Sequence, residues 1–138
     1  MKKILLGLSF ALTISLFGST NMSTSDHANV KSQVNEIKKM LPRKMGSNMV
    51  MTKANYDQIE KLISFEMLLP HDYKNVPKDI QEELAISLEE DYSNKVCQGS
   101  FKQLFGDYNG LKVNYNFVST DKVFDKNVLV DLQKDCRN

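Results

Sequence analysis

The stretch LKVNYNF, residues 111–117, alternates without a break: Leu111, Val113, Tyr115 and Phe117 are apolar or aromatic, and Lys112, Asn114 and Asn116 are polar. A period of two predicts a β-strand that buries one face and leaves the other to water. Such a strand is stable only beside other strands and beneath a covering layer. After a polar turn over Ser119 to Lys122, the segment Val123 to Leu132 supplies a partner strand through Val128, Val130 and Leu132. Before it, Asp107 to Gly110 reads as a turn, and Phe101, Leu104 and Phe105 fall on a short helical turn capped by Gly106.

The covering layer is legible upstream. Ile80, Leu84, Leu88, Tyr92 and Val96 repeat at four-residue spacing, with Glu82, Glu83, Glu89 and Glu90 off the stripe. That pattern predicts an amphipathic helix, opened by Pro77 at its first position and delivering Cys97 at its end, where Gly99 permits a turn. A second helix is expected from Asp26, with Ser25 or Asp26 as N-cap and Val30, Val34, Ile37 and Leu41 on its apolar side. Pro42 ends it, and Arg43 to Asn48 reads as a loop around Gly46. Two runs follow, Met49 to Tyr56 and Ile59 to Leu69, with Ile59, Ile63, Phe65, Met67 and Leu69 on one alternating face and only Lys61 out of pattern. They predict a β-hairpin. The element order α-β-β-α-α-β-β implies an α+β domain with helices packed on an antiparallel four-stranded sheet.

The N-terminus reads differently from the rest. Met1, Lys2 and Lys3 precede an apolar run from Ile4 to Phe17, and small or polar residues follow to Ser25. This is the order of a secretory signal peptide. The run is about fourteen residues, short of the roughly twenty that cross a bilayer. We divide the chain into a signal peptide over residues 1–20 and a single α+β domain over 21–138, periplasmic or secreted. Across the 138 residues, 18 Lys and Arg stand against 17 Asp and Glu, and losing Lys2 and Lys3 leaves the balance near zero. A nucleic-acid binder shows a basic excess on one face and a membrane-surface binder a Lys/Arg-rich amphipathic helix. Neither pattern is present, so nucleic acid and, once the signal is removed, membrane are excluded as partners.

The two cysteines, Cys97 and Cys136, are expected to pair as a structural disulfide, because an exported chain meets an oxidising compartment and the Cys-x-x-Cys spacing of redox catalysts is absent. Other chemistry is sparse. His27 sits beside the cleavage region, and His71 lies next to Asp72 in a polar loop without the further ligands a metal site needs. No serine has the strained setting of a nucleophile; Ser93, Ser100 and Ser119 read as surface or turn residues. Glu82-Glu83 and Glu89-Glu90-Asp91 fall on a solvated helix face, whereas acid catalysis needs a carboxyl held in an apolar pocket. Met40, Met45, Met49 and Met51 cluster at irregular gaps, which suits core filling first, an adaptable binding patch next and a copper site last. No cofactor is implied.

The Leu41-Pro42 pair before a hairpin, the helix ending in Cys97, the apolar turn from Phe101 to Phe105, and a Tyr-x-Phe strand at Tyr115 to Phe117 followed by Asp135-Cys136 resemble a family of small exported bacterial proteins described as quorum-sensing-regulated virulence factors. The resemblance covers most of the chain beyond the leader, and this chain departs from it in a longer polar segment between Pro70 and Lys78. It implies a disulfide-linked α+β domain in the periplasm or outside the cell. The family label describes regulation, so it supplies no reaction and no catalytic residue.

These readings favour a binding or interaction protein with an unidentified protein partner over an enzyme. The loop segment His71, Asp72, Tyr73 and Lys74 is the candidate contact surface, with Tyr73 read as an exposed side chain. The alternative is a small envelope hydrolase using a carboxylate or His71. Protein isolated from its native host is expected to begin between Ser19 and Asp26 and to take up a thiol alkylating reagent only after reduction. Intact mass before and after reduction checks both points; retention of Met1 with two reactive thiols would place the chain in the cytoplasm.

Overall fold

The computed structural model describes residues 22–46, 48–105 and 108–136. The signal-peptide reading of residues 1–20 and the Gly106 cap lie outside the described residues. The elements are α1 (Thr24–Lys38), β1 (Arg43–Lys44), β2 (Val50–Asp57), β3 (Leu62–Leu69), α2 (Lys78–Val96), α3 (Gly99–Phe105), β4 (Lys112–Ser119), β5 (Asp125–Asp131) and the short α4 (Leu132–Asp135).

The domain is α+β as expected, but its sheet has five strands in the order β1-β2-β3-β4-β5 and is mixed. This corrects the antiparallel four-stranded sheet. The central pair, β3 and β4, runs parallel, with Phe65 beside Tyr115 and Met67 beside Phe117. The connection between them passes through α2 and α3, and a crossover of that length returns the chain to start a parallel strand where a tight turn cannot. The fifth strand is β1, which pairs Arg43 with Met51 and Lys44 with Val50 inside the stretch expected to be a loop. Two residues are too few to display a period. The β2–β3 hairpin and the β4–β5 pair are antiparallel as expected.

One face of the sheet carries the core. Ile63, Phe65, Met67 and Leu69 on β3 and Val113, Tyr115 and Phe117 on β4 are buried, together with Val128 and Val130 on β5. α1 lies against β2 and α2 against β5, covering that face with Val30 and Val34 from one helix and Leu88, Tyr92 and Val96 from the other. The Tyr92 ring stands 4.8 Å from both Tyr115 and Phe117. Burial first, and then the neighbouring Tyr92, push the Tyr115 phenol far above its usual range, so it stays neutral.

Local chemistry moves three sequence boundaries. The N-cap of α1 is Ser23, upstream of the expected Ser25 or Asp26. Its Oγ accepts from the Asp26 amide at 3.0 Å, and the Asp26 carboxylate accepts from the Ser23 amide at 3.0 Å, closing a capping box. His27, read as lying beside the cleavage region, is held on α1, its Nδ1 2.7 Å from the Tyr56 hydroxyl of β2. Ile59 leaves the apolar face of β3 and is 91% exposed. It sits in the hairpin turn, where the Asp57 carboxylate accepts from the Ile59 and Glu60 amides. Lys61, the residue out of pattern, takes a left-handed conformation there with φ 54°, which ends the turn and starts the strand.

The disulfide is formed. Cys97, just beyond α2, joins Cys136, just beyond α4, with a Cα–Cα distance of 5.0 Å. It ties the α2–α3 junction to the end of the chain.

A polar clasp organises the loop after β3. Asp121 accepts from the Tyr73 and Lys74 amides at 2.8 and 2.9 Å, and from the Ser119 hydroxyl and the Val123 amide at 2.7 and 3.2 Å. Ser119, expected as a surface or turn residue, is at a turn but buried, because its Oγ also accepts from the Phe124 amide. The Gln81 side chain donates to the Tyr73 and Val76 carbonyls at 3.1 and 2.9 Å. Tyr73 is half-buried against the core rather than exposed, its ring 5.3 Å from Phe124.

Two outcomes are expected. Replacing both cysteines by serine frees a bridge that spans 39 residues of sequence, so urea unfolding should show a loss of about 4 kcal/mol on the chain-entropy account. Partial burial works to raise the Asp121 pKa, but the hydrogen bonds it accepts from Ser119, Tyr73, Val123 and Lys74 outweigh it and lower the pKa from 3.8 to about 2. A depressed pKa means stabilisation that is full above the unfolded value and fades as pH falls through the folded one. Asp121→Asn should therefore lower the melting temperature at neutral pH, with the gap to wild type closing between pH 3.8 and about 2. A gap independent of pH would mean that the carboxylate charge is not what holds the loop.

Candidate functional site

The structure separates the residues singled out from sequence. His71 is exposed. Its amide donates to the Leu69 carbonyl at 2.7 Å and its carbonyl accepts from the Thr120 amide at 3.3 Å, while its imidazole has no hydrogen-bond partner among the described residues. Asp72 accepts from the Thr120 hydroxyl at 2.7 Å. The main chain of Tyr73 and Lys74 is spent on Asp121. The loop is thus a turn whose main chain is engaged by the fold, while His71, Asp72 and Lys74 stay exposed. The Glu82-Glu83 and Glu89-Glu90-Asp91 runs lie on the exposed side of α2, where Glu89 pairs with Lys126 of β5 at 2.7 Å. Among the described residues, no three His, Cys, Asp or Glu side chains stand together to hold a metal ion.

The methionine cluster is what the fold brings together. Met40, Met45 and Met51 line one open groove of about 280 Å³. Its floor is the edge of the core: Met51 of β2, Phe65 of β3 and Tyr115 of β4. One wall is the end of α1 and the chain beyond it, with Ile37, Met40 and Leu41. The other is α3, with Phe101, Leu104 and Phe105. The Phe101 ring meets Phe105 at 4.9 Å and Phe65 edge-on at 6.4 Å, so the α3 wall is anchored to the floor by aromatic contacts.

Two of the lining side chains are unusually open for their size, Met40 at 52% and Leu104 at 46% exposure. They stand on opposite walls over an aromatic floor. Apolar side chains clustered in one concavity mark a binding surface more strongly than the same side chains scattered singly. Isolated cases elsewhere, such as Ile59, carry no such meaning. Methionine adds adaptability, because its unbranched chain repacks around different shapes. The one charge on the lining is Arg43, whose Nη1 lies 3.8 Å from the Met40 sulfur. A cation beside a thioether opposes capture of a metal ion there. Of the cluster, Met51 fills the core, the use expected first, while Met40 is left open to solvent.

Sequence reasoning flagged the methionines but not the groove. Phe101, Leu104 and Phe105 were legible as an apolar turn. That α3 would face the end of α1 across β2, β3 and β4 depends on the strand order, which periodicity does not report.

No family model and no curated protein matches the chain. Among solved structures, its fold is similar to that of the pilotin of the type 2 secretion system of Vibrio vulnificus, with a TM-score of 0.55 and 14% identity over 78% of this chain and 88% of that one. It is also similar to a protein of Pseudomonas aeruginosa described as secreted, with a TM-score of 0.56 and 13% identity over 85% of this chain and all of that one. At these identities the likeness is one of fold alone, shared with two bacterial proteins of divergent sequence.

Proposed function

We propose that this protein is exported and acts in the cell envelope or outside the cell as a docking module, receiving apolar side chains of a partner protein in the groove between the end of α1 and α3. The observation that carries the reading is the open pair Met40 and Leu104 above the floor of Met51, Phe65 and Tyr115. A void of about 280 Å³ is at the small end for a drug-sized ligand, whose sites run from about 300 to 1,000 Å³. A row of side chains from a longer segment is a better match, since anchors enter the groove while the segment continues outside it.

Export is supported by the residues of the leader and by the Cys97–Cys136 bridge, because structural disulfides persist in oxidising compartments. Among the described residues no helix is long and apolar enough to cross a membrane. The fold shared with a secretion-system pilotin and a secreted-type protein supports placing the partner among proteins of the envelope or the external medium. The resemblance to the virulence-factor family points to the same compartments. The His71–Lys74 loop is the lesser surface, because its backbone and half of Tyr73 are engaged by the fold.

A photo-crosslinking amino acid placed at Leu104 or Met40 in the native host should capture one and the same protein, and the same group at Ile59, 91% exposed, should not. Leu104→Glu should abolish capture from Met40 while leaving the melting temperature within a few degrees. Equal capture from all three positions would show that the groove is not the contact surface.

A further inference from the structure

The apolar groove does not end at Arg43. Arg43 and Met45 also line a second, wider cleft of about 560 Å³, shared with Lys44, Met49, Tyr92 and Lys95. Three cationic residues therefore border the place where the groove opens out, Arg43 and Lys44 from the two faces of β1, and the lining of this cleft includes no carboxylate. Such a concentration is not a reflection of composition, since the whole chain carries only one net positive charge. Among the described residues, the ion pairs join Lys39 to Glu36, Lys53 to Glu66 and Lys126 to Glu89. Arg43, Lys44 and Lys95 take part in none of them.

The main chain that carries these cations is held in place. Arg43 and Lys44 form β1, whose backbone is fixed by its pairing with Met51 and Val50 while both residues stay exposed. Lys95 stands on the last turn of α2, its Nζ 4.7 Å from the centre of the Tyr92 ring, and Tyr92 is buried in the core. A cation already resting on an aromatic face, as Lys95 does, loses less freedom when an anion arrives than one free in water. Like charges gathered without counter-charges repel one another, and a ligand carboxylate relieves that repulsion.

Resting on the docking reading above, we infer that the groove selects an acidic segment of its partner protein: apolar side chains enter between Met40 and Leu104, and one or more Asp or Glu carboxylates adjoining them lie against Arg43, Lys44 and Lys95. The cleft fixes the polarity of the bound segment, since its acidic end must face the junction of β1 and α2. Exposed ion pairs are individually weak, and three together are expected to contribute about tenfold in affinity at low salt, a gain that fades when salt shortens the screening distance.

The test is selection of a random peptide library displayed on phage against the full disulfide-bonded protein, with counter-selection on Leu104→Glu and, as a second groove variant, Met40→Glu. Circular dichroism confirms that each variant is folded. Peptides lost on both variants should combine an apolar cluster with Asp or Glu at one end. Synthetic copies should lose about tenfold in affinity when those acids become Asn or Gln, and a similar amount when Arg43, Lys44 and Lys95 are all changed to Gln, with little further loss when both changes are combined. Groove-dependent peptides that are uncharged or basic, or that ignore the triple substitution, overturn the acidic-segment inference and leave the docking reading standing. Peptides unaffected by Leu104→Glu and Met40→Glu, or no enrichment at all, overturn the docking reading and the inference with it.

Discussion

The parallel pairing of β3 with β4 is the constraint on which the rest of the molecule depends. Two neighbouring parallel strands must be joined by a chain that leaves one end of the sheet and re-enters at the other. Here that chain is α2 followed by α3. The long helix fills the crossover and covers the β4–β5 half of the core face, while α1 covers the β2 side. The short helix is left near the gap between the two covers. The groove is that gap. It exists because two helices of limited width do not roof a five-stranded sheet, and α3 narrows the opening without closing it.

The floor and the walls of the groove obey different physics. Phe65, Tyr115, Tyr92 and Phe117 form a continuous aromatic layer, with ring centres from 4.8 to 6.1 Å apart along it. Shape changes in such a layer are costly because interiors are close-packed. The walls carry Met40, Met45 and Leu104, which are exposed or half-buried and free to change rotamer. A rigid base with a compliant rim would fix where the proposed partner segment sits while tolerating variation in its side chains. The bridge from Cys97 to Cys136 belongs with the rigid part, because it holds the residue that precedes α3 against the end of the chain.

Much of this was legible in the residues alone. The alternation from Leu111 to Phe117, the stripe from Ile80 to Val96 and the pairing of the two cysteines each follow from one local rule, and each is present in the structure, except that Ile80 at the start of the stripe is exposed. What sequence did not disclose depends on distant partners. The direction of β4 relative to β3 cannot be read from either strand, because side-chain alternation is the same in parallel and antiparallel neighbours. β1 is too short to have a period. Ser119 looks like any turn serine until Asp121 and Phe124 are seen to surround it. Of the candidate site, the Met cluster was visible as composition, yet its meaning required knowing that α3 lies across from it. Lys95 is far from the adjacent Arg43 and Lys44 in sequence, and the three become a group only where the fold sets β1 beside the end of α2.

The smallest strand has a consequence for how the protein behaves in a crowded compartment. A sheet edge presents unpaired backbone groups that invite a strand from a second molecule, and natural proteins guard such edges with brevity and with charge. β1 uses both devices, being two residues long with a cation at each. Those residues also shape the rim of the groove, so protection of the edge and the acidic-segment preference proposed above rest on the same two side chains. A change that neutralised them to broaden recognition would also remove a guard against self-association, and natural variation at Arg43 and Lys44 has to satisfy both demands at once.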